Sequence, residues 1–528
     1  MLTLHPTIEQ TREAFRWDIP ARFNIGVDCC DRVAEQTPDA PAIIDAQTGQ
    51  ITSFAQLRAL SNQLANALSA LAGQGDRIGV LLPQRVETAA AHIAVLKMGA
   101  ISIPLFKLFG PDSLRHRLWT AGAKVVITDA QGAALLAGLR DELPDLLRVV
   151  SVDDDFAEFI ADQPVDFAPC DTGPDDPAIL IFTSGTTGPP KGALLGHRAL
   201  LGHLPGVEMS HNGFPQAGDR IWTPADWAWI GGLLDVLLPA LHHGVPVVAS
   251  RFDRFSADAA FDLIRRCRVR NVFLPPTALK IMRQSEAPSG VALRSVASGG
   301  ETLGPELIAW GQRVLGCIIN EFYGQTECNM IVSSCAAIAP AEPGVMGFAV
   351  PGHDVHIIDA AGQPCAAGQE GDIAVRGPDP VMFLRYWNDP AATAAKFRGD
   401  WLLTGDRGAT TSSGRIRFVG RADDVISSAG YRIGPAEIED CLLSHPAVQM
   451  AGVVGQPDDL RGQIIVAFVQ LAAGHAASDV LVDVLRNHVR IRLAAHDTPR
   501  HIRFIDALPM TTTGKLIRAD LRDLCAGA

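Results

Sequence analysis

The first clear pattern along the chain is an amphipathic helix that begins near residue 53. Ser53 and Gln56 have the spacing of a capping box, in which the two side chains satisfy free backbone N–H groups at the start of a helix. Leucines then recur every three or four residues, at Leu57, Leu60, Leu64, Leu68 and Leu71. This spacing places them on one side of the helix. The pattern predicts a helix that buries one face in a core.

Short runs of almost entirely apolar residues follow, most of them separated by segments of helical length. The runs are Ile78 to Leu82, Ala178 to Phe182, Val245 to Ala249, Asn271 to Leu274 and Cys317 to Ile319. Strands that are apolar on both faces are typical of parallel sheets covered by helices. The sequence therefore predicts an α/β fold, with a large N-terminal domain of layered sheets of the αβαβα type.

The pattern changes beyond residue 340, where short strands are punctuated by Gly and Pro. Three of these runs are Gly352 to Asp359, Gly371 to Gly377 and Gly414 to Gly420. They predict a small antiparallel or barrel-like element. The end of the chain has strand and helix patterns of its own, at Ile464 to Leu471 and Asp479 to Leu493. These predict a small α+β C-terminal lid domain.

Composition excludes several classes of protein. The 528 residues are 47% hydrophobic, enough for two or more domains. The formal net charge of -13 argues against general binding to nucleic acid, which requires a surplus of Lys and Arg. The ten cysteines lack the spacing of a metal site or a disulfide framework. The N-terminus has no basic segment followed by an apolar core, so a cytoplasmic protein is expected.

The most apolar long stretch runs from Ala228 to Ser250. Asp235, His242, His243 and two prolines interrupt it. A membrane span needs about 20 residues with few or no charges. The stretch therefore predicts a buried strand-and-helix region, and no integral membrane contact is expected.

The most informative segment is a buried strand that leads into a loop of hydroxyls, glycines and one lysine, between Ala178 and His197. Glycines let backbone N–H groups approach phosphate oxygens, hydroxyls donate further bonds, and Lys191 adds a positive charge. The common P-loop spacing fails because Gly192 follows Lys191. A flexible surface turn is the simpler alternative, but ten ordered positions directly after a strand favour a phosphate loop.

This loop, TSGTTGPPKG (Thr183 to Gly192), resembles the signature of the adenylate-forming superfamily of acyl-CoA synthetases, luciferases and peptide-synthetase adenylation domains. Later segments resemble the later motifs of that family, in the same order. They are Glu321 to Glu327, Trp401 to Gly408, Gly420 to Glu439 and Pro509 to Lys515. The segments near both ends of the chain are most similar to the acetyl-CoA and medium-chain acyl-CoA synthetase branch. The resemblance implies AMP-forming ligation with ATP, Mg²⁺ and coenzyme A as co-substrate.

The resemblance implies a nucleotide site. Its residues are Thr183, Ser184, Gly185, Thr186, Thr187, Lys191, Gly300, Glu301, Tyr323, Gly324, Gln325, Thr326, Asp406, Arg421 and Lys515. The hydroxyl-rich loop would hold the β- and γ-phosphates, and Glu327 with Thr186 would bind Mg²⁺. Tyr323 would stack on adenine, although core packing is its common alternative. Asp406 would accept the ribose hydroxyls, and Arg421 would donate to the ribose or the α-phosphate.

Catalysis of the first step is assigned, by resemblance, to Lys515 together with Thr186 and Glu327. An ammonium between the substrate carboxylate and the α-phosphate stabilises the charge that accumulates during attack. His197 matches a common family histidine, for which a structural role and a catalytic role both stay open.

The resemblance also implies two domains, residues 1–422 and 423–528, with a hinge at Asp423 and a mobile lid. A simple turn acid is the alternative at Asp423. Gly430, Tyr431 and Arg432 would border the coenzyme A tunnel. Many relatives have Lys where this chain has Ser427, so no second-step role is assigned there.

The acyl pocket is placed, by resemblance, at Trp229, Ile230, Gly231, Gly299 and Gly324. Acetate-specific relatives have Thr where this chain has Gly231, Val where it has Gly299 and Trp where it has Gly324. A deeper cavity is therefore expected. The prediction is a medium-chain, branched or aromatic acid larger than propionate.

Two rival functions are weighed against this one. A stand-alone adenylation enzyme loading a carrier protein could use Asp226 as an ammonium anchor, but no carrier domain follows Lys515 in the given sequence. A catalytically inactive nucleotide-binding regulator would not need intact Lys515, Glu327 and Asp406. A homo-oligomer stays open.

Overall fold

A computed structural model describes most of the chain. The described residues are 1–183, 190–252, 254–286, 288–301, 303–342, 344–421, 424, 426–428, 431–458, 461–493, 497–511 and 514–526.

The helices lie throughout the chain and cluster around the sheets. They are α1 (Ile8–Ala14), α2 (Arg32–Gln36), α3 (Phe54–Ser69), α4 (Val86–Lys97), α5 (Pro111–Ala121), α6 (Ala130–Ala137), α7 (Phe156–Ala161), α8 (Ala199–Ser210), α9 (Ile230–Gly232), α10 (Leu238–His242), α11 (Ala257–Arg266), α12 (Pro276–Met282), α13 (Pro305–Trp310), α14 (Pro390–Ala395), α15 (Pro435–Leu443), α16 (Asp479–Arg492) and α17 (Arg518–Ala526). Short π-helical turns precede α2 and α10 and follow α13.

Within the described residues the strands form four sheets. They are β1 (Pro41–Asp45), β2 (Ile51–Ser53), β3 (Arg77–Leu81), β4 (Ile101–Pro104), β5 (Val125–Thr128), β6 (Arg148–Ser151), β7 (Pro177–Thr183), β8 (Lys191–Gly196), β9 (Ile221–Trp222), β10 (Val247–Ala249), β11 (Asn271–Phe273), β12 (Ser295–Gly299), β13 (Ile319–Gln325), β14 (Cys328–Ser333), β15 (Phe348–Ala349), β16 (Val355–Ile358), β17 (Glu370–Arg376), β18 (Arg385–Tyr386), β19 (Phe397–Arg398), β20 (Trp401–Thr410), β21 (Ile416–Arg421), β22 (Ile426–Ser428), β23 (Tyr431–Ile433), β24 (Val448–Asp458), β25 (Gly462–Leu471) and β26 (His501–Phe504).

Two large sheets form the N-terminal part. The first has the order β15-β14-β13-β12-β11-β9-β10-β1-β2, and the second has the order β18-β8-β7-β4-β3-β5-β6. Their central strands are parallel, and antiparallel strands lie only at or near the edges. The predicted parallel sheets are confirmed.

Helices α8 and α10 lie between the two large sheets. Every residue of α8 is buried, and one core cluster joins Leu204 of α8 and Leu241 of α10 to Val247 of β10 and Ile181 of β7. A helix that is apolar on all sides needs cover on all sides, which two flanking sheets provide. Helices α11 to α13 cover the outer face of the first sheet, and α5 and α6 cover the outer face of the second. Helices α3 and α4 pack on the inner face of the second sheet and into the central cluster.

Two smaller sheets follow. One has the order β16-β17-β20-β19 with β21 beside β20, and it forms the predicted barrel-like element. The other has the order β23-β22-β25-β24 with β26 beside β25, and it is covered by α15, α16 and α17. The predicted fold class, layered α/β sheets with a small C-terminal α+β domain, is confirmed.

Most of the local predictions hold. Helix α3 begins with the complete Ser53–Gln56 capping box. The strand predicted from Cys317 starts later than expected, at Ile319 of β13, because Gly316 ends the preceding π-helical turn in the left-handed region. The stretch from residue 228 to 250 forms α9, α10 and β10, and no helix of the described residues is long and apolar enough to cross a membrane.

Candidate active site

Strand ends from three sheets converge on the predicted site. The carboxyl end of β7 leads into the phosphate loop, β12 leads into Gly300 and Glu301, and β13 carries the Tyr323 motif. Asp406 lies on β20 of the barrel-like sheet. Because parallel strands end at one edge of a sheet, side chains far apart in sequence meet there.

The two ends of the phosphate loop are paired. Thr183 and Lys191 are opposite partners in β7 and β8, and the Thr183 hydroxyl donates to the Lys191 carbonyl oxygen at 3.4 Å. Ser184, Gly185, Thr186 and Thr187 lie outside the described residues. The predictions for those four residues therefore stay predictions.

A tyrosine links the phosphate loop to Glu327. The Tyr386 hydroxyl donates to Glu327 Oε1, and the Lys191 ammonium lies 5.7 Å from the centre of the Tyr386 ring. Glu327 is buried. Its carboxylate is thus held close to Lys191 at the base of the loop, which suits a group that would bind a phosphate-bound cation.

A second link joins Gln325 to the barrel-like sheet. The Gln325 amide donates to the Thr404 carbonyl oxygen at 2.7 Å, and Gln325 Oε1 accepts a 2.7 Å bond from the Lys396 ammonium. Thr326, the next residue, lies in the turn between β13 and β14. The turn of residues 325–327 is therefore fixed from both sides.

Tyr323 and Asp406 form a buried pair. The Tyr323 hydroxyl donates to Asp406 Oδ2 at 2.6 Å. Burial raises the pKa of Asp406, and the positive charge of Arg421, its partner across β20 and β21, opposes that rise. Burial and the Asp406 carboxylate raise the pKa of Tyr323. Tyr323 therefore stays protonated, and its hydroxyl donates the hydrogen bond to Asp406.

Lys515 reaches the cleft between the C-terminal domain and the large sheets. Its ammonium lies 5.9 Å from the centre of the Trp229 ring, and Gly300 lies beside both side chains. The cleft is open to water, yet surrounding protein atoms lower the pKa of Lys515 by desolvation, while Glu301 and Asp406 counteract this. The structure thus brings Lys515 close to Trp229 and to Glu301 and Asp406, two carboxylates that the sequence predicts for the nucleotide site.

The Glu301 carboxylate is 3.4 Å from the Lys280 ammonium. Gly300 adopts a φ of +102°, which L side chains rarely adopt. A side chain there would also approach the Trp229 ring at 3.3 Å. Both facts favour glycine at position 300.

The three pocket glycines have occupied surroundings. A Cβ on Gly231 would lie 2.9 Å from Phe273 and Trp229, and a Cβ on Gly299 would lie 2.6 Å from the Phe322 ring. A Cβ on Gly324 would lie 2.4 Å from the backbone nitrogen of Met330. Aromatic rings and strand backbone therefore fill the space that larger residues would take, and glycine by itself adds no depth there.

Trp229 begins a row of aromatic rings. Its ring centre is 5.5 Å from that of Phe273, which is 5.2 Å from that of Phe322. Phe273, Phe322 and Ile230 are buried, whereas Trp229 is partly accessible in the cleft. The accessible surface beside Lys515 is thus the indole of Trp229, which contacts the buried ring of Phe273.

Glu321 is a site-adjacent residue that the sequence analysis did not single out. It lies on β13, is buried, and accepts a 3.4 Å bond from the Leu303 N–H. Burial raises its pKa to about 8, and Asp440 of the C-terminal domain adds to this. Glu321 therefore carries a proton at neutral pH.

His197 has a structural environment. Its ring is buried, and Nδ1 accepts a 3.1 Å bond from the Ile25 N–H. Burial lowers its pKa to about 4. The contacts favour the structural alternative left open for this residue.

The predicted hinge and tunnel are only partly described. Asp423 and Gly430 lie outside the described residues, while the backbones of Tyr431 and Arg432 belong to β23. The neighbouring Asp424 is ion-paired with α17, at 2.7 Å to Arg522 and 3.7 Å to Arg518. These pairs attach Asp424 to α17, the last helix of the described residues.

Comparison with known families gives consistent matches. The family model of the AMP-binding enzyme matches residues 30–387, and that of the AMP-binding enzyme C-terminal domain matches residues 437–515. An uncharacterized acyl-CoA ligase, YtcI, of Bacillus subtilis (strain 168) is 34% identical and covers 89% of this chain and 90% of its own. The human mitochondrial acyl-coenzyme A synthetase ACSM4 is 33% identical over 96% of this chain and 91% of its own.

Solved structures match over almost the full chain. The anthranilate CoA ligase AuaEII, solved in complex with anthranoyl-AMP, has a TM-score of 0.88 at 27% identity and covers 97% of this chain and 99% of its own. A benzoate CoA ligase from Burkholderia xenovorans LB400 has a TM-score of 0.83 at 28% identity and covers 95% of this chain and 100% of its own.

Proposed function

Because the chain belongs to the AMP-binding enzyme family and is an acyl-CoA ligase of the adenylate-forming type, we propose that it ligates coenzyme A to a medium-chain, branched or aromatic carboxylic acid larger than propionate. The position of Lys515 beside Trp229 and the nucleotide-site carboxylates carries this proposal.

The first step is adenylation. A carboxylate oxygen of the acid attacks the α-phosphorus of ATP, a new O–P bond forms, and the bond to the β-phosphate breaks to release pyrophosphate. The Lys515 ammonium stabilises the negative charge that develops between carboxylate and phosphate. No side-chain nucleophile is needed, because the substrate supplies it.

The second step consumes the adenylate. The thiol of coenzyme A releases its proton to solvent water, the sulfur attacks the acyl carbonyl carbon, and AMP leaves with the electrons of the broken C–O bond. We propose that Gly430, Tyr431 and Arg432 border the path of the thiol, and that residues 1–422 and 423–528 move relative to each other at Asp423 between the steps.

The donor set fits magnesium. A buried carboxylate at Glu327, close to Lys191 and the phosphate loop, is the kind of oxygen ligand that Mg²⁺ combines with nucleotide phosphates. Bound there with Thr186, the cation would neutralise charge on the departing pyrophosphate. Tyr386 keeps the Glu327 carboxylate oriented.

The substrate class follows from the accessible wall at Lys515. With the acid carboxylate near the ammonium, its tail would lie along the indole of Trp229, which Phe273 and Phe322 support. An apolar tail gains about 0.8 kcal/mol for each buried CH₂ group, and an aromatic ring can stack. The anthranilate and benzoate CoA ligases of similar fold are consistent with a ring-accepting site.

The test is a comparison of acids with Trp229 variants. The values of kcat/KM for acetate, butyrate, hexanoate and benzoate are measured in the parent, Trp229→Phe and Trp229→Ala. Trp229→Ala should lose about tenfold or more on hexanoate and benzoate and much less on acetate, because only the longer acids contact the indole. Trp229→Phe should retain most of the preference. Equal losses for all four acids would contradict the substrate class.

Loading of a carrier protein is the alternative. For an amino-acid substrate Asp226 would have to anchor an ammonium, yet its Oδ1 accepts a 2.9 Å bond from the Ala228 N–H in its own turn. The test compares coenzyme A with a phosphopantetheine-bearing carrier protein as acceptor of a preformed acyl adenylate. Transfer only to the carrier would reject the ligase proposal.

A further inference from the structure

Two side chains that no prediction assigned hold opposite ends of the turn of residues 325–327. Tyr386 lies near the start of one short segment, and Lys396 lies at its end. We propose that residues 385–396 form a brace that positions the nucleotide site, Tyr386 on the phosphate side and Lys396 on the ribose side. The inference rests on the proposed nucleotide-binding roles of Glu327, Gln325 and Asp406.

Tyr386 fixes the Glu327 end. The tyrosine is buried, its hydroxyl donates to Glu327 Oε1, and the nearby Phe383 N–H donates to the Glu327 carbonyl oxygen at 2.9 Å. Strand β18, which carries Tyr386, pairs with β8, the strand that begins at Lys191. The carboxylate is therefore oriented relative to the phosphate loop by a residue anchored on the same sheet.

Lys396 fixes the Gln325 end. Its ammonium lies 2.7 Å from Gln325 Oε1, 3.3 Å from the Leu403 carbonyl oxygen and 3.4 Å from that of Thr404. An ammonium has three donors, and these three acceptors match them. The Gln325 amide also donates to the Thr404 carbonyl oxygen. The orientation of the Gln325 amide is therefore set, with its oxygen on the lysine and its nitrogen on the strand.

The same lysine acts on the ribose side. Thr404, which lies beside the Lys396 ammonium, accepts a 3.1 Å bond at Oγ1 from the Asp406 N–H. The positive charge of Lys396 also favours the ionised form of the Asp406 carboxylate. Loss of the lysine would thus loosen Gln325 and weaken the acceptor proposed for the ribose hydroxyls.

One residue connects the two ends of the brace. Thr393 Oγ1 accepts a 2.9 Å bond from the Tyr386 N–H, and the Thr393 carbonyl oxygen accepts a 3.1 Å bond from the Lys396 N–H. Asp389 caps the intervening helix by accepting from the Ala392 N–H at 2.9 Å. Tyr386 and Lys396 are therefore parts of one small, internally bonded unit.

The experiment separates the two ends by binding, without turnover. Calorimetry measures ATP binding as a function of Mg²⁺ concentration, and AMP binding without metal, in the full chain with no carboxylic acid present. The variants are Tyr386→Phe, Lys396→Met and the conservative Lys396→Arg. Arg398→Met is the matched control, because the hydrogen bonds of Arg398 go to Asp372 and to the Asp359 carbonyl oxygen rather than to the turn of residues 325–327.

Tyr386→Phe should raise the Mg²⁺ concentration for half-maximal ATP binding about tenfold, as loss of an orienting partner does at metal sites, and should leave AMP binding unchanged. Lys396→Met should weaken AMP and ATP binding about tenfold with the Mg²⁺ requirement unchanged, because hydrogen bonds to a charged donor are lost. Lys396→Arg should restore part of the affinity. Arg398→Met should bind as the parent does.

Parent-like binding by Tyr386→Phe and Lys396→Met would overturn the brace. Equal losses of ATP and AMP affinity in both variants would also overturn it, because they would indicate a general packing defect. If Lys396→Met does not fold, Lys396→Gln is measured against the same outcomes. A parent that binds neither AMP nor Mg²⁺-ATP would instead contradict the proposed function.

Discussion

The Tyr323 hydroxyl and the Asp406 carboxylate form a 2.6 Å hydrogen bond between two different sheets. Burial raises the pKa of Asp406, and the bond from Tyr323 lowers it again in part. The tyrosine thus helps to keep ionised the group proposed to accept the ribose hydroxyls, and does so independently of any stacking on adenine.

Tyr323→Phe should therefore make nucleotide use more sensitive to acid. Losing a hydrogen bond to a charged group costs about 1.5–3 kcal/mol, and because the bond from Tyr323 lowers the pKa of Asp406, its loss should raise that pKa. As pH falls, the variant should lose kcat/KM for ATP at a higher pH than the parent. The measurement is the pH profile of kcat/KM for ATP at saturating acid. A profile that is lower but not shifted would contradict this role.

Lys515→Ala should separate the two half-reactions. We expect adenylation, measured by pyrophosphate exchange, to fall by about 100- to 1,000-fold or more, because an electrostatic partner of the transition state is lost. Conversion of supplied acyl adenylate and coenzyme A to thioester should continue near the parent rate. Equal loss of both half-reactions would show that the lysine serves both or is structural.

Gly324→Ala tests whether the space at Gly324 is filled by strand backbone or is open to the acyl chain. The new Cβ would lie 2.4 Å from the Met330 nitrogen and 2.6 Å from Asn329 Cα, so a strand backbone would have to move. We expect a destabilisation of about 1–3 kcal/mol and parallel losses on acetate and benzoate. Gly73→Ala is the control, because its Cβ meets nothing within 4 Å.

Gly324→Trp should likewise impair all acids. A Gly324→Trp variant that keeps acetate activity and loses only the longer acids would support the deeper acyl pocket that the sequence predicted at Gly324.

Glu321→Gln should change how stability depends on pH. The folded-state pKa of Glu321 is raised to about 8, above the ordinary glutamate value of 4.5. Between those values the unfolded chain has released a proton that the folded chain still holds, so this group makes stability fall as pH rises. The slope is at most about 1.4 kcal/mol per pH unit.

Denaturant unfolding at pH 5, 6.5 and 8 checks this expectation. Relative to the parent, Glu321→Gln should gain stability from pH 5 to pH 8, because glutamine does not titrate. A constant difference between the two proteins would contradict the buried, protonated glutamate.

Much of the fold could be predicted from short patterns in the sequence. The capping box at Ser53 and the apolar runs predicted helix α3 and the parallel strands, because those patterns act over a few residues. Motif resemblance placed Tyr323 and Asp406 in one predicted nucleotide site, whereas their direct hydrogen bond is seen only in the structure. The phosphate loop itself remains a prediction between its paired ends, Thr183 and Lys191.

Tyr386 and Lys396 were missed by the sequence analysis for the same physical reason. Tyr386 and Lys396 act on residues 59 and 71 positions away, and neither stands in a pattern that marks such a contact. The pocket glycines show the converse limit. A glycine indicates that a larger side chain is absent from the pocket, but only the structure shows that the Phe322 ring fills the space beside Gly299.

The ion pairs of Asp424 determine which part of the chain can act as a pivot. Asp424 is bound to Arg518 and Arg522, and the next strand, β22, is hydrogen-bonded into the C-terminal sheet. Lys515 stands three residues before Arg518. A rotation that withdraws Lys515 from Trp229 with these contacts intact carries Asp424 along as part of the same rigid body. The pivot of such a rotation would then lie on the N-terminal side of Asp424, as the proposed hinge at Asp423 does, and Asp424 would move with the C-terminal domain.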